Sequence, residues 1–289
     1  MAKTRTPSTA IRLGAAGLFL GSMLAASVPA TAADWSDTSI GYRYGTKFRE
    51  PFNAQDISKN IVDLQHVSGY KYGTNFFNVD FLMSDSKDPQ NVGGAGAQEA
   101  YVVYRNTIDF GKVAGKDYKT GIFRGFGATF GFDWNTKNDI GYSSKKRMLV
   151  LGPTVMFDVP GFLNVSVLAL NESNAPVGHP SRYTYTTHAM LTGAWGIPFG
   201  DSPFSFEGFI NVIAPKGLDE FGAQTKTETN FDAQIMLDLG RVMGGPKGTF
   251  KVGLEYQYWK NKFGNDNSAP GENGGAFAKT PMIRAEYHF

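Results

Sequence analysis

The side chains that could do chemistry are few in kind. Four histidines, His66, His179, His188 and His288, stand apart with no helical metal-ligand spacing and no glutamate-linked zinc motif. There is no cysteine, hence no thiolate and no disulfide. Ser173 lies in Asn171-Glu-Ser-Asn-Ala175, but the position where a general base would stand is Asn171, and a serine without a base is a weak nucleophile. The residues therefore assign no catalytic group, no metal and no cofactor, and the chain reads as a non-enzyme.

What recurs is a charged or amide side chain at every second position of apolar segments. In Phe126 to Trp134, Phe126, Ala128, Phe130, Phe132 and Trp134 alternate with Gly127, Thr129, Gly131 and Asp133. In Phe250 to Trp259, Phe250, Val252, Leu254, Tyr256 and Tyr258 alternate with Lys251, Gly253, Glu255, Gln257 and Trp259. Successive strand side chains point to opposite faces, so each such segment has one greasy and one mixed polar face. Parity places Asp63, Asn78, Asp80, Glu99, Arg105 and Asp133 on the polar face, with Phe76 and Tyr101 as aromatic neighbours. Further along it adds Glu207, Phe209, Asp232, Lys251, Glu255, Trp259, Arg284 and Glu286. Rings could stack a flat solute and amides and charges could take its hydroxyl groups, so this face is a candidate channel lining, a reading that only a family resemblance lifts above the alternative. The glycines at 125, 127 and 131 are read as local room for that solute. The other reading is that the charges satisfy one another in a filled barrel interior.

Twelve segments carry this pattern: 39–48, 59–68, 75–84, 98–109, 123–134, 146–157, 162–171, 183–197, 204–212, 231–239, 249–259 and 280–289. No helical stripe competes with them, and Leu149, Val150 and Leu151 in succession leave the facing of 146–157 open. The connections alternate between mostly long and mostly short, counting 49–58 as the first long one. That asymmetry, with aromatics near segment ends, predicts an all-β transmembrane antiparallel up-and-down barrel of about twelve strands with both termini periplasmic. A soluble β-sandwich also alternates, but it needs no aromatic girdles.

Residues 1–33 hold Lys3, Arg5 and Arg12, an apolar run from Leu13 to Ala26 and Ala30-Thr-Ala32, the make-up of a cleaved secretory signal peptide. Their removal takes three basic and no acidic residues, so the formal charge falls from +2 to −1 and no nucleic-acid surface is indicated. Residues 34–289 form the single barrel domain. Beyond the leader no apolar run is long enough for a membrane helix, so a membrane role must use strands. The last segment places Ile283, Ala285, Tyr287 and Phe289 outward and Arg284, Glu286 and His288 inward, and closes against 40–48. Tyr287 and Phe289 then serve as the assembly signal read by the barrel-assembly machinery.

Trp35-Ser-Asp37, Tyr44-Gly45, Phe48-x-Glu50-Pro51, Gly69-Tyr-Lys-Tyr-Gly-Thr-Asn-Phe-Phe-Asn-Val-Asp80, Asp88-Pro89 and Glu99-Ala-Tyr-Val-Val-Tyr-Arg105 together resemble the Tsx-like nucleoside-specific channel-forming outer-membrane protein family. The resemblance covers the first third well and the rest by strand pattern. It implies a monomeric, narrow twelve-stranded barrel in the bacterial outer membrane, in contact with outer-membrane lipid, that passes nucleosides or similar small polar solutes. A structural or surface-receptor barrel with a plugged lumen is the alternative. The Asn171 to Ala175 stretch loosely resembles the outer-membrane phospholipase family, with the base position lost.

Overall fold

The structure, a computed structural model, describes residues 33–91 and 94–289. The expected signal peptide, residues 1–33, lies outside the described residues except for Ala33. The strands are β1 Trp35–Glu50, β2 Asn53–Tyr70, β3 Gly73–Ser84, β4 Gln98–Asp109, β5 Phe123–Lys137, β6 Arg147–Phe157 and β7 Phe162–Asn174. They continue as β8 Tyr183–Thr184, β9 His188–Pro198, β10 Phe204–Ile213, β11 Glu228–Asp238, β12 Phe250–Lys260 and β13 Phe277–His288. Apart from the two-residue β8, which hangs on the end of β7, twelve strands run antiparallel to their neighbours, and β6 pairs with β7 to close the ring.

Closure removes both exposed edges, which is what lets strands enter a medium without water. The seam between the chain ends is β1 against β13, with Ile40 opposite Tyr287 and Tyr44 opposite Ile283. The outer surface is apolar. Aliphatic side chains such as Leu149, Leu151, Leu254 and Ile283 stand more than half exposed in its middle. Trp35, Phe162, Phe204 and Phe289 ring the end that holds the termini, and Phe81, Trp134 and Tyr256 stand toward the other. Exposed apolar area this continuous is what hydrocarbon, not water, would cover.

Some expectations change. The first connection is a two-residue turn, Pro51–Phe52, instead of a long loop, because β1 and β2 extend to meet there. Phe52 takes φ 64°, and Glu50 pairs with Asn53. The expected strand over 183–197 begins at His188, since the backbone leaves the ladder after Thr184. Two short helices also interrupt the all-strand pattern, α1 Phe110–Ala114 and α2 Leu239–Val242. Each is started by an aspartate that caps backbone N–H groups: Asp109 accepts from Gly111 at 2.9 Å, and Asp238 from Arg241 at 2.9 Å. The facing of β6 resolves with Leu149 and Leu151 outward and Val150 inward.

Candidate functional site: the inner wall

The ladder carries one inward row from strand to strand. On one wall Asp80 stands opposite Asp63 and Tyr101, and Arg105 opposite Phe76 and Gly131. Val103 lies between Asn78 and Asp133, while Glu99 meets Lys137. On the other wall Phe209 stands opposite Asp232 and Glu207 opposite Gln234. Asn230 faces Trp259, and Lys251 is flanked by Asp238 and Glu286. All sixteen candidate lining residues named above thus share that row with these neighbours, Glu255 opposite Met282 and Arg284 opposite Gly253 included.

Near mid-barrel the row becomes an ion-pair network. The Arg43 guanidinium lies 2.5 Å from Asp80, 3.3 Å from Glu255 and 3.4 Å from Asp63. Arg284 lies 2.9 Å from Glu255 and 2.5 Å from Glu286, and His288 approaches Glu286 at 3.3 Å. The Glu255 and Asp63 side chains are 0% and 1% exposed, so this side of the lumen is filled. Guanidinium forks suit such sites because several carboxylates can be met in one plane. A separate pair, Arg105 with Asp133, is joined by the Tyr101 hydroxyl, which donates to Asp133 at 3.0 Å.

Between these groups the row is neutral. Hydroxyls of Thr107, Thr129, Thr154 and Ser166 link β4 to β7 through contacts of 2.8, 2.6 and 2.7 Å. These side chains bind one another, which leaves them little to offer a solute. Not all of the row is polar. Phe48, Ile57, Ile61 and Met282 form one buried apolar cluster, and Val150, Leu168, Leu170 and Met190 another. Parity misses Phe48 of the first because a bulge between Gly45 and Phe48 shifts the β1 row by one residue.

The glycine row is not open space. A Cβ on Gly127 would come within 2.1 Å of the Ile108 carbonyl, and one on Gly131 within 2.0 Å of the Tyr104 carbonyl. These glycines allow close backbone approach between strands, and the expected room for a solute is absent there.

The end of the barrel away from the termini is crossed by side chains. Glu50, at the tip of β1, is 2.6 Å from Lys59, 3.1 Å from Lys262 and 3.5 Å from Lys137. Lys137 belongs to β5, four places from β1 around the ring, and the two can meet only across the mouth. Glu172 forms a second hub, 3.2 Å from Lys146 and 2.8 Å from Lys216. Phe263 joins the hubs: its ring centroid lies 3.9 Å from the Lys146 ammonium and 5.1 Å from that of Lys262, and it meets Trp259 edge-on at 5.0 Å. Phe263 follows β12 while Lys146 precedes β6, five places away around the ring. The loop 261–276 therefore reaches over the opening. The loop 214–227 supplies Lys216 and holds the first loop where Lys226 N–H donates to the Gly264 carbonyl at 2.9 Å.

Burial sets the electrostatics of these loops. It pushes the Lys146 and Lys262 ammonium groups below the ordinary lysine value, against the opposing pull of Glu172 and Glu50. Burial alone would raise Glu220, but hydroxyl donors from Tyr142 and Tyr185 outweigh it and hold the carboxyl below its ordinary value. Lys146, Lys262 and Glu220 were not singled out from sequence, because loops carry no parity to read.

Ser173 has no base beside it: its hydroxyl accepts from the Arg182 guanidinium at 3.3 Å, a group that cannot take its proton. His188 is buried on the inner row, its Nδ1 2.8 Å from the Thr186 carbonyl oxygen. Among the described residues no group of three or more histidines, aspartates or glutamates is arranged to hold a metal.

No family model matches the chain, and no curated protein matches it. Solved structures similar in fold include a KdgM porin, at 10% identity over 87% of this chain and 99% of that one with a TM-score of 0.41. The translocator domain of autotransporter NalP from Neisseria meningitidis is 13% identical over 88% of each chain with a TM-score of 0.40. A mutant of the monoaromatic hydrocarbon channel TodX is 8% identical over 89% of this chain and 90% of that one, with a TM-score of 0.38.

Proposed function

We propose that the protein is a diffusion channel of the bacterial outer membrane for nucleosides or similar small polar solutes. The observation that carries this reading is the part of the inner row that stays partly exposed. Asn78, Tyr101, Arg105, Phe209 and Asn211 keep contact with the lumen, while Asp63 and Glu255 on the network side are sealed. A ring, a phenol, amides and one guanidinium on an otherwise filled wall offer stacking and hydrogen bonding to a neutral, flat, hydroxylated solute. Stacking of this kind contributes about 1–3 kcal/mol per base in single-strand binders. The resemblance to the Tsx-like family names the nucleoside. In planar bilayers the purified protein gives small conductance steps that added nucleosides reduce. Normal insertion and conductance with no reduction by any nucleoside removes the substrate and leaves the channel.

A second reading, a receptor or structural barrel with a plugged lumen, is favoured by the side chains that cross the mouth. Liposomes carrying the protein and passing no small solute would establish it. In either case residues 1–33 are removed on export, the barrel works as a monomer with both termini periplasmic, and β13 presents Tyr287 and Phe289 to the barrel-assembly machinery. Deleting Phe289 then slows insertion without altering which solutes pass, and unchanged insertion refutes that role.

A further inference from the structure

We infer that Phe263 is the residue that sets the size limit for permeation, held over the lumen by two lysine–glutamate hubs. This rests on the channel reading and assigns its constriction. Three observations combine. First, contacts between residues four and five places apart around the ring run across the opening, so the chain from Lys137 through Glu50, Lys262, Phe263 and Lys146 to Glu172 spans it. Second, the anchors are rigid for side chains of their length: Lys262 and Lys146 are 4% and 2% exposed, and Lys262 also donates to the Arg49 carbonyl at 2.8 Å. Third, the Phe263 backbone is held in the left-handed region at φ 60°, ψ 19°, next to Gly264 at φ 85°, which turns the ring off the course of β12. A non-glycine residue keeps such a conformation only where its surroundings fix it. Here these are two ammonium groups on the ring and the edge of Trp259.

On the channel reading this arrangement acts as a constriction. The ring is only half-buried, whereas the lysines that hold it are sealed, so part of Phe263 stays accessible at the opening that these contacts cross. An apolar, flat side chain held across the opening would exclude bulky and strongly hydrated solutes by size and dewetting, while letting a planar solute pass along its face.

The test is single-channel recording and solute-flux sizing on wild type, Phe263→Ala, and a variant with residues 262–275 replaced by a short glycine–serine turn. Folding of each is checked by heat-modifiable migration. Phe263→Ala is expected to raise conductance about twofold or more and to admit larger sugars, because the narrowest section dominates the resistance of a pore. Equal conductance and an equal size limit in wild type and Phe263→Ala overturn the assignment while leaving the channel reading intact. Absence of conductance in all three folded proteins overturns both. The absence of native cysteine allows a second readout: Phe263→Cys treated with a bulky thiol reagent should lose conductance in assembled pores, and an unreactive thiol or unchanged current contradicts the assignment.

Discussion

Replacing Leu254 with arginine tests the division of the barrel into a lipid face and a lumen face. Leu254 is 70% exposed on the outer surface of β12, flanked by Ile235 and Ile283 on the neighbouring strands. Phe250, four residues back, pairs with Tyr287 at the aromatic edge. At about 3.3 Å per residue that is about 13 Å of strand, or about 10 Å along the barrel axis after a tilt of about 40°. An apolar belt about 25 Å tall puts Leu254 close to its middle, where an outward arginine costs about 2–4 kcal/mol. Near the interface the same change costs about 0–1 kcal/mol, so Tyr287→Arg is the control. A cost of about 2–4 kcal/mol corresponds to a shift of about 30- to 900-fold in the folding equilibrium for Leu254→Arg. Reversible urea unfolding in lipid vesicles, followed by tryptophan fluorescence, measures both variants. If Leu254→Arg costs no more than Tyr287→Arg, the exposed row is not a lipid face, and the assignment of opposite rows to lipid and lumen fails with it.

Two other predictions concern the mouth. Glu172→Ala leaves the buried Lys146 and Lys216 without their shared carboxylate, and breaking such a group costs about 3–5 kcal/mol. The Phe263 and Tyr185 rings that remain over the two ammonium groups place the loss at the lower end. The triple change Glu172→Leu, Lys146→Met and Lys216→Met should come out close to neutral in the same urea assay, and a triple variant as unstable as Glu172→Ala contradicts the account. For Glu220 the sign follows from a folded-state pKa held below its ordinary value of 4.5. Its stabilisation is present above that value and is lost as pH falls through the lower folded one. Denaturation midpoints of wild type and Glu220→Gln should therefore differ at pH 7 and converge in acid, and a gap that widens on acidification refutes the assignment.

Much of the fold could be read from sequence because the strand repeat is local. Two-residue alternation needs only neighbours, so Phe250, Val252 and Leu254 against Lys251, Gly253 and Glu255 declare their faces without knowledge of the partner strand. The same rule placed Arg284 and Glu286 inward and closed β13 on β1. It failed where one residue breaks the count, as at the bulge before Phe48, and where three aliphatics run together, as at Leu149 to Leu151.

The inner face was legible in part. Parity could name Asn78, Tyr101, Arg105 and Phe209 as inward, since direction is a property of one strand. Which inward charges are sealed is not: Asp63 is covered because Arg43 on β1 and Arg284 on β13 reach it, whereas Asp80 and Tyr101 on the next two strands stay partly exposed. The glycines at 127 and 131 read as vacancies, and only the approach of the Ile108 and Tyr104 carbonyls shows the space to be occupied. Least legible was the mouth. Glu50, Lys137, Phe263 and Lys146 are far apart in the chain, and two of them lie in or beside connections without any repeat. Their meeting depends on ring closure, which brings strands four and five places apart to face each other across one opening. Alternation along the chain thus determined the barrel and its two faces, whereas what narrows the lumen was decided by contacts across it, which no local pattern encodes.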